Sequence, residues 1–326
     1  MKDGFNREID YLRISVTDRC NLRCIYCMPQ EGISWIDHQE ILTYEEIERL
    51  CRIFASLGVK NFKITGGEPL VRKDLPVLIK KLKKINGTKS VTLTTNGVLL
   101  EENLEALMEA GLDGVNISLD SLNKESYESL TSREGFHKTM RGIEVALKHP
   151  SLKVKLNCVP LKGKNDKELV ALARMAEDKP LSVRFIEMMP IGFGKNFDFM
   201  GEEEIIELLE KELGPLKATE EALGNGPAHY YRAEGFMGRI GFISARTHKF
   251  CESCNRVRLT AEGYFKTCLQ YSKGASLKEG LRRGDSDSEI EAVIIKALLE
   301  KPQGHEFDKD SDLQDGEDRR MFSIGG

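Results

Sequence analysis

An α/β fold, built as an incomplete six-stranded (β/α)6 barrel with a smaller α+β segment behind it, is predicted by three observations. From Tyr11 to about Met189 short β-like runs alternate with helix-like stretches, as repeated βα units do. Six units fill that span of roughly 180 residues, where a complete eight-unit TIM-like barrel takes about 250. Beyond Gly201 the alternation yields to one helix, short strands with aromatic residues, and a second group of cysteines. The expected limits are a partial barrel over 1–200, a smaller domain over 201–300 and a flexible tail over 301–326.

Strands are expected at Tyr11–Val16, Lys60–Thr65, Ser90–Thr95, Gly114–Leu119, Lys153–Cys158 and Ser182–Glu187. Between the first two, Ile47, Leu50, Cys51, Phe54 and Leu57 recur at helical spacing, with Thr43 and Glu46 placed as a capping box and Gly58 as the stop. Parallel strands covered by helices on both faces read as continuous apolar runs, and these alternate instead. Leu12, Ile14 and Val16 alternate with Arg13 and Ser15, and Phe62 and Ile64 with Asn61, Lys63 and Thr65. Val115, Ile117 and Leu119 alternate with Asn116 and Ser118, Val154 and Leu156 with Lys155 and Asn157, and Val183 and Phe185 with Arg184.

With the apolar faces on the outer helices, a period of two turns the polar faces into one shared lumen. That lumen would hold Arg13, Lys63, Lys155 and Arg184. Four converging cations repel one another unless an anion or solvent compensates them, so an anionic ligand such as a phosphate ester is expected. The plainer reading is a sheet whose polar face is solvated. After Lys301 the chain turns acidic and polar, with Asp308, Asp310, Asp312, Asp315 and Asp318 preceding Met321 to Gly326, and no packed element is required there.

A chain of 326 residues, 40% hydrophobic with charges of both signs, has a globular composition. A net charge of -4 argues against a nucleic-acid scaffold, but leaves room for an anionic small molecule that answers to local cations. Met1 to Val16 has no apolar core of signal-peptide length, and no run approaches the ~18 apolar residues of a membrane span. A cytoplasmic location follows as the expectation. In that reducing compartment eight cysteines are better candidates for metal ligands than for disulfides.

Cys20, Cys24 and Cys27 are spaced C-x3-C-x2-C in the loop after the first strand, at the carboxyl end of the barrel, where active sites of such folds collect. Three thiolates can hold three irons of a 4Fe-4S cluster and leave the fourth open to an outside ligand. A zinc site completed by a histidine such as His38 satisfies the same three cysteines. Cys251, Cys254 and Cys268 follow C-x2-C-x13-C spacing, with His248 nearby as a fourth donor; taken alone, this group reads as structural zinc. Cys51 and Cys158 fall on the apolar parity of their helix and strand and read as core thiols.

The run Val16-Thr17-Asp18-Arg19-Cys20-Asn21-Leu22-Arg23-Cys24-Ile25-Tyr26-Cys27 resembles the cluster-binding loop of the radical S-adenosylmethionine (SAM) superfamily. Gly66-Gly67-Glu68-Pro69, after the second strand, is similar to that superfamily's methionine-binding segment; glycines admit close backbone approach, and a carboxylate can pair with an amino group. Cys251-Glu252-Ser253-Cys254-Asn255-Arg256-Val257-Arg258-Leu259 and the terminal Gly325-Gly326 resemble the GTP cyclase family that begins molybdenum cofactor biosynthesis, the MoaA family. The match runs from Tyr11 to Asp198 and again from Tyr230 to Leu269.

The resemblance implies two 4Fe-4S clusters, on Cys20, Cys24 and Cys27 and on Cys251, Cys254 and Cys268, with SAM on the open iron of the first. It further implies a 5'-deoxyadenosyl radical that takes the ribose 3' hydrogen of GTP. Attack on guanine carbon 8, then an electron and a proton, would complete a 3',8-cyclised dihydro-GTP. By position, Tyr26, Gly67, Ser118 and Met189 match SAM contacts, while Arg13, Lys63, Thr94, Lys155, Arg256 and Arg258 match GTP contacts and Arg184 a cation near the triphosphate. The second cluster resembles a guanine site with an iron that lacks a cysteine, and the glycine pair a tail reaching toward the active site. No general acid or base is assigned.

Implied partners are GTP, a reductant for the clusters and the downstream cyclic pyranopterin monophosphate synthase; a homodimer is left open, and neither nucleic acid nor a membrane is expected. Two departures stand out: Lys63 where many members have Arg, and Asn61 where a second basic residue is common, which puts a phosphate contact in question. Competing readings are a radical SAM enzyme acting on a peptide, and a non-enzymatic zinc or iron-sulfur binding protein.

Overall fold

The computed structural model describes residues 1–29, 33, 35–221, 223–307, 316–317, 319 and 321–325. The six expected strands are present as β1 (Tyr11–Ser15), β2 (Asn61–Thr65), β3 (Ser90–Thr95), β4 (Gly114–Ser118), β5 (Lys153–Cys158) and β6 (Ser182–Ile186). Each pairs in parallel with the next in chain order. Between them run α1 (Tyr44–Ser56), α2 (Leu75–Lys83), α3 (Leu100–Glu109), α4 (Lys124–Thr131), α5 (Phe136–Leu147) and α6 (Leu169–Arg174).

Helix α1 shows how local sequence sets these units. The Thr43 hydroxyl accepts from the Glu46 amide at 3.1 Å, and the Glu46 carboxylate accepts from the Thr43 amide at 2.7 Å, which closes the expected capping box. Gly58 ends the helix at φ +104°, backbone that a side chain strongly disfavours. Ile47, Leu50, Cys51, Ile53 and Phe54 are buried against the outward side chains of the sheet. Those side chains, Leu12, Ile14, Phe62, Ile64, Val91, Leu93, Val115, Ile117, Val183 and Phe185, have no measurable or almost no exposure. Burying each such large side chain contributes about 1.5–3 kcal/mol. Cys51 and Cys158 lie in this core.

The segment after Gly201 departs from the expected picture of a separate, irregular body. Helix α7 (Glu202–Leu213) leads into β7 (Lys217–Thr219), β8 (His229–Arg232) and β9 (Arg239–Ile243), and then β10 (Arg256–Leu259), β11 (Tyr264–Lys266) and β12 (Gly274–Ser276) follow. All six extend the same sheet, in the order β12-β11-β10-β1-β2-β3-β4-β5-β6-β9-β8-β7. Because β10 is parallel to β1 and β9 to β6, the parallel run grows by one strand at each edge. A strand edge left unpaired would expose backbone donors and acceptors, and the later segment satisfies both edges. Helices α8 (Lys278–Arg283) and α9 (Asp287–Leu299) pack beyond it, with Ile290, Ile294 and Leu298 buried.

The tail differs from the flexible end that its composition suggests. Residues Asp308, Asp310, Asp312, Asp315, Asp318 and Gly326 lie outside the described residues, but Met321–Ile324 forms a short helical turn, α10, with Phe322 and Ile324 buried. Ile324 packs with Ile191, Ala245 and Phe307, so apolar contact rather than composition decides where this end rests. Among the described residues, no helix is long and apolar enough to cross a membrane.

Candidate active site

One cavity of about 560 Å³ runs along the inner face of the strands from their carboxyl ends to their starts. That volume lies within the usual ligand-pocket range of about 300–1,000 Å³. At the strand ends it is lined by Cys20, Cys24, Tyr26, Cys27, Gly66, Gly67, Glu68, Ser118, Asp120 and Met189; midway by Arg13, Lys63, Thr94, Lys155, Arg184 and Arg258; and at the start of β10 by Arg256. All the expected ligand-contacting residues therefore line one space. Cys251, Cys254 and Cys268 do not line it, but border it through Arg256, two residues after Cys254, and Leu269, next to Cys268.

The cations are placed by strand register. Arg258 on β10, Arg13 on β1 and Lys63 on β2 are direct neighbours across three parallel strands. Asn116, with its amide oxygen turned toward the cations, accepts from Arg184 Nη2 at 2.9 Å and Lys63 Nζ at 2.5 Å. Arg184 also holds Asn157 Oδ1 through Nε at 2.9 Å and Nη2 at 2.5 Å. Lys155 donates to the Leu223 carbonyl. Burial, and then the neighbouring positive charges, push Lys63 well below the ordinary lysine range, Lys155 down to about 7 and Arg258 down to about 9. Such a crowd of cations favours an anion between them.

The first cysteine loop is held by the Gly66-Gly67-Glu68-Pro69 turn. Gly67 N–H donates to the Thr17 carbonyl and Glu68 N–H to the Arg19 carbonyl, each at 2.8 Å. A Cβ on Gly66 would lie 2.5 Å from Thr17 O, and one on Gly67 2.5 Å from Arg19 O, so two backbones meet here too closely for any side chain. The Glu68 carboxylate is committed to Thr95 Oγ1 at 2.7 Å, Asn96 N–H at 2.7 Å and Leu70 N–H at 3.0 Å. It braces the turn and, with about four lone-pair sites, can still accept from an amino group; burial raises its pKa to about 7 against those hydrogen bonds. Tyr26 donates to Asp120 Oδ2 at 2.5 Å, tying the cysteine loop to the end of β4.

The donor sets fit iron-sulfur clusters. The six cysteines are free thiols. Within each trio they lie close enough to raise one another's pKa: burial and then Cys27 act on Cys24, and burial, after it Cys268 and Cys254, on Cys251. Burial first pushes Cys20 up to about 11 and Cys27 up to about 12, so a neutral apo loop would release protons on taking up metal. Backbone N–H groups of Leu22 and Phe322 point at the Cys20 and Cys27 sulfurs, as suits thiolates in a cluster. Around the second trio, burial is outweighed by Lys301, Arg256 and Arg7, which bring Cys254 down to about 7. Among the described residues no three His, Cys, Asp or Glu side chains are grouped to hold a single metal ion, so the fit rests on the thiol sets and their surroundings.

The two histidines weighed as alternative fourth donors have other surroundings. His248 faces Glu202 at 3.4 Å and Thr247 at 3.2 Å, and His38 lies in an exposed turn outside the cavity lining. The backbone N–H of His305 instead donates to Cys251 Sγ at 3.4 Å. Sequence reasoning missed Asp120, Asn96, Arg7, Lys301 and the Leu223–Pro227 loop, whose neighbours come from distant parts of the chain. Arg7, paired with Asp3 at 2.6 Å, donates to the carbonyls of Cys251, Pro302 and Gln303.

A parallel sheet with a three-cysteine loop after its first strand, a GGEP turn after its second and a cavity between them defines a protein of the radical SAM class. The model for the radical SAM superfamily matches residues 14–176, and that for Molybdenum Cofactor Synthesis C matches 181–307. The chain is 44% identical to a GTP 3',8-cyclase of Clostridium perfringens over 329 residues and to one of Pelotomaculum thermopropionicum over 330, covering all of each chain. It is 41% identical over 309 residues to molybdenum cofactor biosynthesis protein 1 of Dictyostelium discoideum, covering 94% of this chain and 49% of that one. The fold is also that of Streptococcus suis SuiB bound to S-adenosylmethionine, at TM-score 0.59 and 15% identity over 91% of this chain and 66% of that one. The chain belongs to the GTP 3',8-cyclase family of the radical SAM superfamily. Membership implies a 4Fe-4S cluster and SAM.

Proposed function

We propose that this chain cyclises GTP to (8S)-3',8-cyclo-7,8-dihydroguanosine 5'-triphosphate, the first step of molybdenum cofactor biosynthesis. One observation carries the reading most: a single cavity joins the first cysteine trio at the strand ends to six cations, Arg13, Lys63, Lys155, Arg184, Arg256 and Arg258. We read residues 1–200 as the six-stranded partial barrel, 201–300 as the segment that houses a second 4Fe-4S cluster on Cys251, Cys254 and Cys268, and 301–326 as the tail, of which Met321 and Phe322 line the cavity. A reductant, the downstream cyclic pyranopterin monophosphate synthase and a cytoplasmic setting complete the proposal.

When bound, the first cluster and SAM supply the 5'-deoxyadenosyl radical that removes the ribose 3' hydrogen. The protein's own work is positioning and exclusion of solvent, since the cofactors hold the difficult chemistry. Tyr26, Gly67, Ser118 and Met189 would seat SAM at the strand ends. Arg13, Lys63, Lys155 and Arg184 would hold the phosphates in the middle of the lumen, with Thr94 beside them. Arg256 and Arg258 would orient the guanine toward the second trio. Asn116 and Asn157 keep Lys63 and Arg184 aimed inward, so the cationic site exists before the ligand arrives.

The test is anaerobic incubation of reconstituted, reduced protein with SAM and each nucleoside triphosphate in turn. GTP alone should drive 5'-deoxyadenosine formation and a product isomeric with GTP. 5'-Deoxyadenosine made without response to GTP would overturn the substrate, and none made at full iron content would overturn the radical chemistry.

A further inference from the structure

We infer that the Leu223–Pro227 loop is a latched floor to the phosphate end of the cavity and sets how many phosphates the substrate must carry. The inference rests on the GTP reading above and deepens it.

The cavity has two unlike ends. The strand-end side holds the cysteine loop, where the ribose must lie to react. The other side is lined by residues at the strand starts: Asn61, Ser90, Gly114 and Lys153. On the GTP reading both arms of the nucleotide run from the ribose toward this second end, the guanine on the β10 side beside the second trio and the phosphate chain past Lys63, Lys155 and Arg184 on the other. There Leu223, Gly224, Asn225, Gly226 and Pro227, in the connection between β7 and β8, line the cavity.

This loop is tied to opposite sides of the mouth. Lys155, on β5, donates to the Leu223 carbonyl. Asn225 Nδ2 donates to Ser90 Oγ, at the start of β3, at 3.3 Å. Asn255 Nδ2, just before β10, donates to the Asn225 carbonyl at 3.2 Å. The last two ties close a ring: Asn255 Nδ2 also donates to Asp10 Oδ1 at 2.8 Å, Asn61 Nδ2 to Asp10 Oδ2 at 3.1 Å, and Ser90 Oγ to Asn61 Oδ1 at 2.9 Å. The ring thus links the residues before β1 and β10 with the starts of β2 and β3 through the loop.

Asn61 gains a role from this ring. A basic side chain at position 61 could offer charge to a phosphate but could not accept from Ser90 while donating to Asp10. In this chain the position serves the latch, and the loop closes the end that a cation would otherwise face. Gly224 belongs to the same device: a Cβ there would lie 2.6 Å from Lys155 Nζ and displace that lysine.

The experiment uses the reconstituted full chain and measures kcat and KM for 5'-deoxyadenosine formation with GTP, GDP and GMP, together with iron content. Asn225→Ala removes the tie to Ser90, and Asn225→Asp adds an anion at the floor. The loss of one neutral hydrogen bond is expected to raise KM for GTP about fivefold with kcat nearly unchanged. Iron content and the parameters for GMP should stay as in the parent, so the preference for GTP over GMP shrinks. Asn225→Asp should penalise GTP more than GMP, by repulsion. If both variants keep the parental ratio of GTP to GMP, or lose rate with all three nucleotides alike, the floor is overturned while the GTP reading stands. If the unaltered chain shows no response to any guanine nucleotide, both fall.

Discussion

Arg258 Nη1 donates to the carbonyl of Gly325 at 2.6 Å, so a cation of the cavity wall holds the far end of the chain. Gly325 has φ +79°, and a Cβ there would come within 2.7 Å of the Thr65 side chain, which explains a glycine at this point of contact. Met321 and Phe322 line the cavity, and the Phe322 amide reaches Cys27. Removing residues 321–326 and replacing Arg258 by Ala should each lower cyclised product, and the two together should cost little more than the worse one, because they act as one unit. Product quantified by mass spectrometry checks this; strictly multiplicative losses would show that the two act separately.

The tail is anchored a second time by the buried pair Lys266–Glu317, whose side chains are 0% and 1% exposed. Lys266 Nζ also donates to the Tyr271 carbonyl at 2.6 Å. Breaking a buried pair from one side typically costs about 3–5 kcal/mol. Lys266→Met should therefore release the tail to limited proteolysis near residue 317, and a cleavage rate equal to the parent's would refute the anchor.

Gly67→Ala should disturb the first cysteine loop specifically. Its new Cβ meets the Asp18 and Arg19 backbone carbonyls, which cannot swing aside as a side chain would. Iron bound after reconstitution should drop by about four per chain while the second trio keeps its own. Cys254→Ala should give the mirror result, with the first trio retained and 5'-deoxyadenosine still formed. Undiminished iron in Gly67→Ala would contradict the close-approach argument.

Lys155 makes GTP binding depend on pH. Burial, then Arg184 and Lys153, lower its pKa to about 7 from an ordinary 10.5. A phosphate beside it restores the charged form, so binding takes up a proton above pH ~7, and KM should rise from there by at most about tenfold per unit. Without ligand the sign is opposite: the folded chain sheds this proton before the unfolded one does, so stability gains from this group as pH rises from about 7 toward 10.5. Lys155→Arg stays charged and should flatten the KM profile. A parent profile already flat from pH 7 to 9 would sink this account.

The sequence by itself determined much of this protein. Strand spacing predicts β3 and β5 to the residue and the other four to within one, because alternation and helix caps are local signals. The same alternation places Arg13, Lys63, Lys155 and Arg184 on one face, and cysteine spacing singles out both trios. Only the tertiary structure decided that the later segment extends both edges of one sheet, that Glu68 braces a turn, and that Arg258 holds the Gly325 carbonyl. It alone closed the ring through Asp10, Asn61, Ser90, Asn225 and Asn255. The physical reason is range. Hydrophobic period and capping act within a few residues, whereas these partners lie tens to hundreds of residues apart and meet only when strand pairing and apolar burial have fixed the whole sheet.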